Sequence, residues 1–455
     1  LHACWEATHP LWGNALSLEG YIERESAQAS IPLARDGGLE RWILTTGEEA
    51  PAVGGENEEK EAKVETAVPG SIRRRQRPVL SSCETLRKPV LVRARSDGVI
   101  SQGYAYGIGS VFTLPEHRRK GYAKVLLSKL AERLQLRRHD QDGHPFHDQQ
   151  GEDGTARGSA GADAETGGQT VCSVLYSDIG QHFYASIGWA PYESTHLEIP
   201  APIPGPSSDG DNAVASGSAA GGGGGGVVSS PPAGVTILES GDLPALAARD
   251  CDLIRALLAS SPPASSSASS ESNSASASAA ASLPPKDYFA ILPIIDQIRW
   301  HHAREALVCS HVFGRDKPPP TTHGALYTAA SGARVWALWT RGYSAGPADP
   351  SKNTLYILRL VVDDEESERV SDAELSRALD GILGMARHQA ALWACGKAEM
   401  WNPSDRVKRL VLAIPDLSAR YVVREEDSIT SLNWLAAERA PNEIEWLANE
   451  KYAWC

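Results

Sequence analysis

Apolar positions recur every three or four residues in some stretches and every second residue in others, and the two periods divide the chain into elements. Helical spacing predicts helices over 1–16 and 17–28, the second opened by Ser17 as N-cap with Glu19 in its first turn. Apolar runs and alternations predict strands over 39–46, 89–95 and 104–114, the last closed by Pro115. Leu126, Leu127, Leu130 and Leu134 make one stripe, which predicts a helix over 121–136. A compact buried strand over 171–176, a short helix over 180–187 and a strand beginning at Trp189 follow.

The second half repeats this order. Strands are predicted over 235–238, 325–328, 334–339, 354–362 and 397–401, and helices over 242–259, 373–393 and 404–413. Leu375, Leu379, Ile382 and Ala386 share one face of the middle helix. Segments 47–70, 139–169, 201–234 and 260–282 are rich in Gly, Ser, Pro, Ala or Glu and lack the apolar surface to offset the entropy of ordering. They read as flexible. The expected organisation is a first domain over 1–200 with inserts at 47–70 and 139–169, a linker over 201–234, and a second domain over 235–455 with a low-complexity insert at 260–282. The expected class is α/β with mixed sheets.

Composition narrows the function. A net charge of −13 argues against a nucleic-acid partner, which needs a basic face for counterion release. Cys4, Cys83, Cys172, Cys251, Cys309, Cys395 and Cys455 are dispersed without a close pair, as expected of reduced thiols in the cytoplasm. His301 and His302 have no partners at ligand spacing, so they read as structural or surface residues, and no metal is expected. No apolar run approaches the ~20 residues of a membrane span, and no signal peptide is visible. The first residue is Leu1 rather than Met, which leaves open whether sequence precedes it.

The junction at 114–123 carries the chemistry. A strand ends at Pro115, and the basic turn Arg118, Arg119, Lys120, Gly121 opens a helix at Tyr122 and Ala123. A helix start offers unpaired N–H groups and partial positive charge, and Gly121 lets an anion approach the backbone. Arg118-x-x-Gly121-x-Ala123 after a strand resembles the Q/R-x-x-G-x-G/A signature of the GNAT acetyltransferase superfamily. That resemblance implies a GNAT fold with the pyrophosphate of acetyl-CoA on this turn. It also implies that the backbone of Val111, Phe112 and Thr113 pairs with the pantetheine arm. Downstream, Ser177, Gly180, Phe183, Tyr184, Gly188 and Trp189 align with a second GNAT signature, N-x-x-A-x-x-L-Y-x-x-x-G-F. Ser, Gly and Trp depart from it, while the tyrosine is kept. Ser177 then stands where an Asn would bond pantetheine, and Tyr184 is the expected proton donor to the leaving thiolate.

Local strings narrow the resemblance further: SLEGYIERE (17–25), ARDGGLERWIL (34–44), VFTLPEHRRKGYAKVLL (111–127), LYSDIGQHFYASIGW (175–189) and NEKYAWC (449–455) are similar to fungal lysine N6-acetyltransferases of lysine catabolism. The implied reaction is direct transfer of acetyl to a small amine, L-lysine, with no acyl-enzyme. Another amine (a polyamine or a secondary metabolite) and a non-catalytic acyl-CoA-binding scaffold are the rival readings. Asp178, Glu116 and the carboxylate of Cys455 are the candidates for the base. In the second half the run after Val362 is acidic and has no R-x-x-G-x-A turn, which predicts a degenerate GNAT-like domain without a cofactor.

Overall fold

A computed structural model describes residues 2–46, 78–137, 169–202, 231–260, 286–363 and 370–454. The segments expected to be flexible lie outside the described residues apart from their margins. The chain opens with α1 (His2–Trp12) and α2 (Leu18–Gln28), then β1 (Leu39–Thr45), β2 (Val79–Arg93) and β3 (Ile100–Thr113). Next come α3 (Tyr122–Leu136), β4 (Thr170–Ser177), α4 (His182–Ala185), β5 (Ala190–Pro191) and β6 (Thr195–Pro200). The second half holds β7 (Val235–Leu238), α5 (Leu243–Ser260), β8 (Asp287–Ile291), α6 (Ile295–Val312), β9 (Gly324–Thr328), β10 (Arg334–Tyr343) and β11 (Asn353–Val362). It closes with α7 (Asp372–Leu392), β12 (Lys397–Trp401), α8 (Asp405–Leu412), β13 (Arg420–Val423), β14 (Ile429–Trp434) and β15 (Ile444–Trp446).

Local chemistry explains the boundaries. The Ser17 side chain accepts from the Gly20 N–H and starts α2. The first helix stops at Trp12, short of residue 16, because the chain turns at Gly13 and at Asn14, whose φ is 52°. The strand expected from Trp189 is only two residues long; Trp189 itself is fully buried beneath α3. The stripe of Leu126, Leu127, Leu130 and Leu134 packs on Ile108 and Leu175, and truncating one such leucine to Ala costs about 2–5 kcal/mol.

Both halves form mixed sheets. In the first, the order is β15-β8-β2-β3-β4-β14-β5, with β1 also paired to β2; in the second it is β13-β6-β12-β11-β10-β9-β7. Each contains an antiparallel pair followed by a parallel crossover through a helix: β2–β3 then α3 to β4, and β10–β11 then α7 to β12. The strand beyond the crossover is exchanged. Thr195–Pro200 pairs with β12 in the second sheet, and Ile429–Trp434 pairs with β4 in the first. Pairing therefore crosses the division drawn at residues 200 and 235. One apolar cluster joins Val90, Phe289 and Ile291 of the first sheet to Trp336, Leu338 and Leu358 of the second.

His301 and His302 sit inside this body and bond backbone carbonyls: His301 Nε2 lies 2.9 Å from the Tyr452 carbonyl and His302 Nε2 lies 3.0 Å from that of Trp339. His302 stacks on His323 at 4.0 Å. Burial lowers His302 to about 3 and His323 to about 4. The unfolded chain takes up these protons near the ordinary histidine pKa and the folded chain does not. Their contribution to stability is thus intact above about pH 6.5 and falls as pH drops toward 4, by about 1.4 kcal/mol per pH unit for each. Denaturant melts should show lower stability at pH 5 than at pH 7, and His302→Asn should remove the His302 share of the difference while that of His323 remains.

Candidate active site

A cleft of about 680 Å³ opens where β3 parts from β4. The two strands pair from Tyr104–Thr170 to Ile108–Leu175 and no further, while β3 continues to Thr113 along β2. A register shift opposite Ser82 and Glu84, with Ser110 at φ 54°, bends β3 at that point. The result is a wedge whose wall carries Val111, Phe112 and Thr113. The Ser81 hydroxyl donates to the Phe112 carbonyl at 2.8 Å, and Arg118 Nε donates to the Thr113 carbonyl at 3.2 Å.

The basic turn closes the end of this wedge. Pro115–His117 forms one 3-10 turn, then Arg119 (φ 62°) and Gly121 (φ 80°) take left-handed backbone. The first helical bond of α3 runs from the Val125 N–H to the Gly121 carbonyl. The amides of 121–124 therefore lie ahead of the ladder, and Gly121 has no side chain to cap them. Arg118, Arg119, Lys120 and Gly121 are exposed, while Tyr122 and Ala123 are half-buried at the helix start. A Cβ at Gly121 would meet nothing within 4 Å, so the left-handed φ rather than crowding demands glycine. Successive N–H groups about left-handed residues form a concave anion site, which fits a diphosphate.

Tyr184, on α4, is buried and lines the cleft. Burial pushes its hydroxyl up to about 12, helped by the charges of Asp178 and Cys83, so it holds its proton at neutral pH. Ser177 is turned into the strand-to-helix corner: its hydroxyl donates to the Gly180 carbonyl at 2.7 Å and accepts from the Ile179 N–H at 3.2 Å. Asp178 lines the cleft and accepts from the Ser428 N–H at 3.1 Å. Glu116 is exposed in the 3-10 turn, and Cys455 lies outside the described residues.

Several wall residues were not evident from sequence. Glu84 of β2 faces the cleft, bonded to Arg41 Nε at 2.8 Å and Ser110 Oγ at 3.4 Å. Burial first, and then Glu25, raise its pKa, against the opposing pull of Arg41. Tyr21, Arg24 and Glu25 come from α2, Trp300 and Arg304 from α6, and Trp454 from the C-terminal segment. That segment is held by buried Lys88, whose Nζ donates to the carbonyls of Ala453 and Trp454 at 2.7 and 3.2 Å.

The second sheet has the same parting, with a different outcome. The pairing of β11 and β12 ends at Ile357–Met400 while β11 continues. There the Leu360 N–H donates to Glu450 Oε2 at 2.9 Å, and Arg359 is held by Asp250 and Glu450. The helix that follows, α7, is capped by its own Ser371, which accepts from the Glu374 N–H, and begins with Asp372. The chain's own carboxylates occupy this edge. Elsewhere His196, Glu198 and Glu399 lie close enough to hold a cation, and Lys397 Nζ already stands 2.9 Å from Glu198 and 2.7 Å from Glu399.

A parallel pair parted over a glycine-started helix, with a second parted pair whose edge the chain's own carboxylates fill, is the arrangement of a GNAT-like fold carried twice. Residues 227–455 match the family described as GNAT_LYC1-like, "LYC1 GNAT-like C-terminal domain", and the chain belongs to that family. It is 34% identical over 111 residues to a "Lysine acetyltransferase" of Yarrowia lipolytica, covering 24% of each chain. It is 33% identical over 122 residues to the Saccharomyces cerevisiae protein "Uncharacterized protein YGR111W", covering 27% of this chain and 24% of that one. The chain thus spans about a quarter of these relatives' length. Among solved structures, a GCN5-related N-acetyltransferase from Kribbella flavida aligns at TM-score 0.38 and 12% identity, covering 95% of this chain and 69% of that one. A probable N-acyltransferase from Enterococcus faecalis V583 aligns at TM-score 0.36 and 10% identity, covering 79% and 60%. No described helix is long and apolar enough to cross a membrane.

Proposed function

We propose that this protein transfers acetyl from acetyl-CoA to the N6 amine of L-lysine, in the cytoplasm, as a step of lysine degradation. The observation that carries the reading is that the wedge wall, Arg118 at the edge of the anion-binding turn, and Tyr184 all line one cleft. Val111, Phe112 and Thr113 would hold the pantetheine arm, and Arg118, Arg119, Lys120, Gly121, Tyr122 and Ala123 the pyrophosphate. Ser177 supports that arm indirectly, by fixing the corner after β4. When bound, acetyl-CoA supplies an activated thioester. L-lysine as acceptor is supported by the relative named for that activity over its matched quarter.

The acceptor must lose a proton before it attacks, since a lysine ammonium has a pKa near 10.4. Glu84, a half-buried carboxylate made more basic by its surroundings, takes that proton. Tyr184 Oη gives a proton to the departing sulfur. Six described cysteines are free thiols, which supports a reducing compartment. The test is thiol release from acetyl-CoA with a panel of amines. Lysine should turn over far faster than ornithine, polyamines or histone peptides. Preference for a polyamine would replace the substrate, and no release with any amine would leave a scaffold.

A further inference from the structure

The acceptor end of the cleft contains one cation without a counter-charge. Arg24 and Glu25 form a buried pair at 2.6 Å, and Arg24 also donates to the Trp12 carbonyl. Glu84 is paired with Arg41 at 2.8 Å. Arg304, one turn beyond Trp300 on α6, lines the same cleft with its guanidinium carbon 5.6 Å from the centre of the Trp454 ring. Among the described residues, no carboxylate lies within ion-pair distance of it and no acceptor bonds it. Its charged neighbours are Arg24, Glu25 and Glu84, and the neutral phenol of Tyr21 also lies near it. Loss of water is the largest influence on it, then repulsion from Arg24, and together they bring it down to about 9. It is still a cation at neutral pH, and one that an incoming anion would stabilise.

The structure assigns Arg304 as the anchor for the α-carboxylate of an amino-acid acceptor, a specificity residue supplied to the first unit's cleft by the second half of the chain. The assignment rests on the reading of L-lysine as substrate and adds how lysine is told from its decarboxylated analogue. A guanidinium presents two parallel N–H donors that match a carboxylate's two oxygens, and an ammonium does not. Glu25 and Glu84, two of the carboxylates that line the cleft, are suited to the amine ends of the same molecule. Cadaverine has the same chain and two amines but no carboxylate, so it isolates the contact.

The experiment compares kcat/KM for L-lysine and cadaverine in the wild type, Arg304→Gln and Arg304→Lys, with acetyl-CoA affinity measured by calorimetry as the check on folding. The wild type should favour lysine by about 10², the scale of losing one charge-assisted partner in a binding contact. Arg304→Gln should lose that factor for lysine, mainly through KM, and leave cadaverine and acetyl-CoA binding unchanged. Arg304→Lys should fall between. Equal loss for both amines, or no loss for lysine, would overturn the assignment while lysine acetylation by the wild type still stood. A wild type that releases thiol with neither amine would overturn both readings.

Discussion

Gly121→Asp should weaken acetyl-CoA binding by at least about 10²-fold in Kd without unfolding the protein. Two effects add. Gly121 sits at φ 80°, where an L-residue is strained by about 1–2 kcal/mol, roughly 5–30-fold if the turn must be kept. The aspartate also places a negative charge among the amides proposed to hold the diphosphate. Gly121→Ala separates them. A Cβ there has open space, so the alanine variant should show only the strain and weaken binding by about tenfold. The position is exposed, and the leucine stripe that anchors α3 is untouched, so thermal melting should shift little. Calorimetry should give one acetyl-CoA per chain for the wild type, because the second wedge is occupied by Glu450. Normal affinity in Gly121→Asp would remove the diphosphate from this turn.

The second large effect separates the two groups proposed to transfer protons. Tyr184→Phe should lower kcat by about 10²–10⁴ and leave acetyl-CoA affinity intact. With the hydroxyl at about 12, no falling limb from this residue appears below pH 10. Glu84→Gln should lower kcat by a similar factor with a different signature. A base is active when deprotonated, so wild-type activity rises as pH climbs through the Glu84 pKa, which lies above the ordinary carboxylate value. Glu84→Gln should erase that limb, and Tyr184→Phe should keep it. A Glu84→Gln enzyme that retains the limb would return the role of base to Asp178.

Local physics made some features readable and not others. The leucine stripe, the Ser17 cap and the glycine-opened helix depend on neighbours within a few residues, so spacing alone conveys them. The first part of β2 was missed because Ser81, Glu84, Thr85 and Lys88 interrupt its apolar pattern, and each is buried or semi-buried against a partner far along the chain. Pro89 also argues against a central strand, yet it sits in the ladder opposite Tyr104. The fate of Ser177 could not be read either, since its hydroxyl is committed to a corner formed only when α4 folds back.

By itself the sequence determined the mixed α/β class, the glycine-started turn at Gly121 and the placement of Tyr184 on the short helix after β4, because each follows from local backbone preference and periodicity, but not β8, α6 or β13 to β15. Only the tertiary structure decided which sheet receives Thr195–Pro200 and which receives Ile429–Trp434, because a strand's alternation names its buried face and not its partner. The same holds for the cleft wall that faces away from the turn. Glu84, Arg304 and Trp454 are far apart in the chain, and only packing of the second half against the first brings them to one cleft.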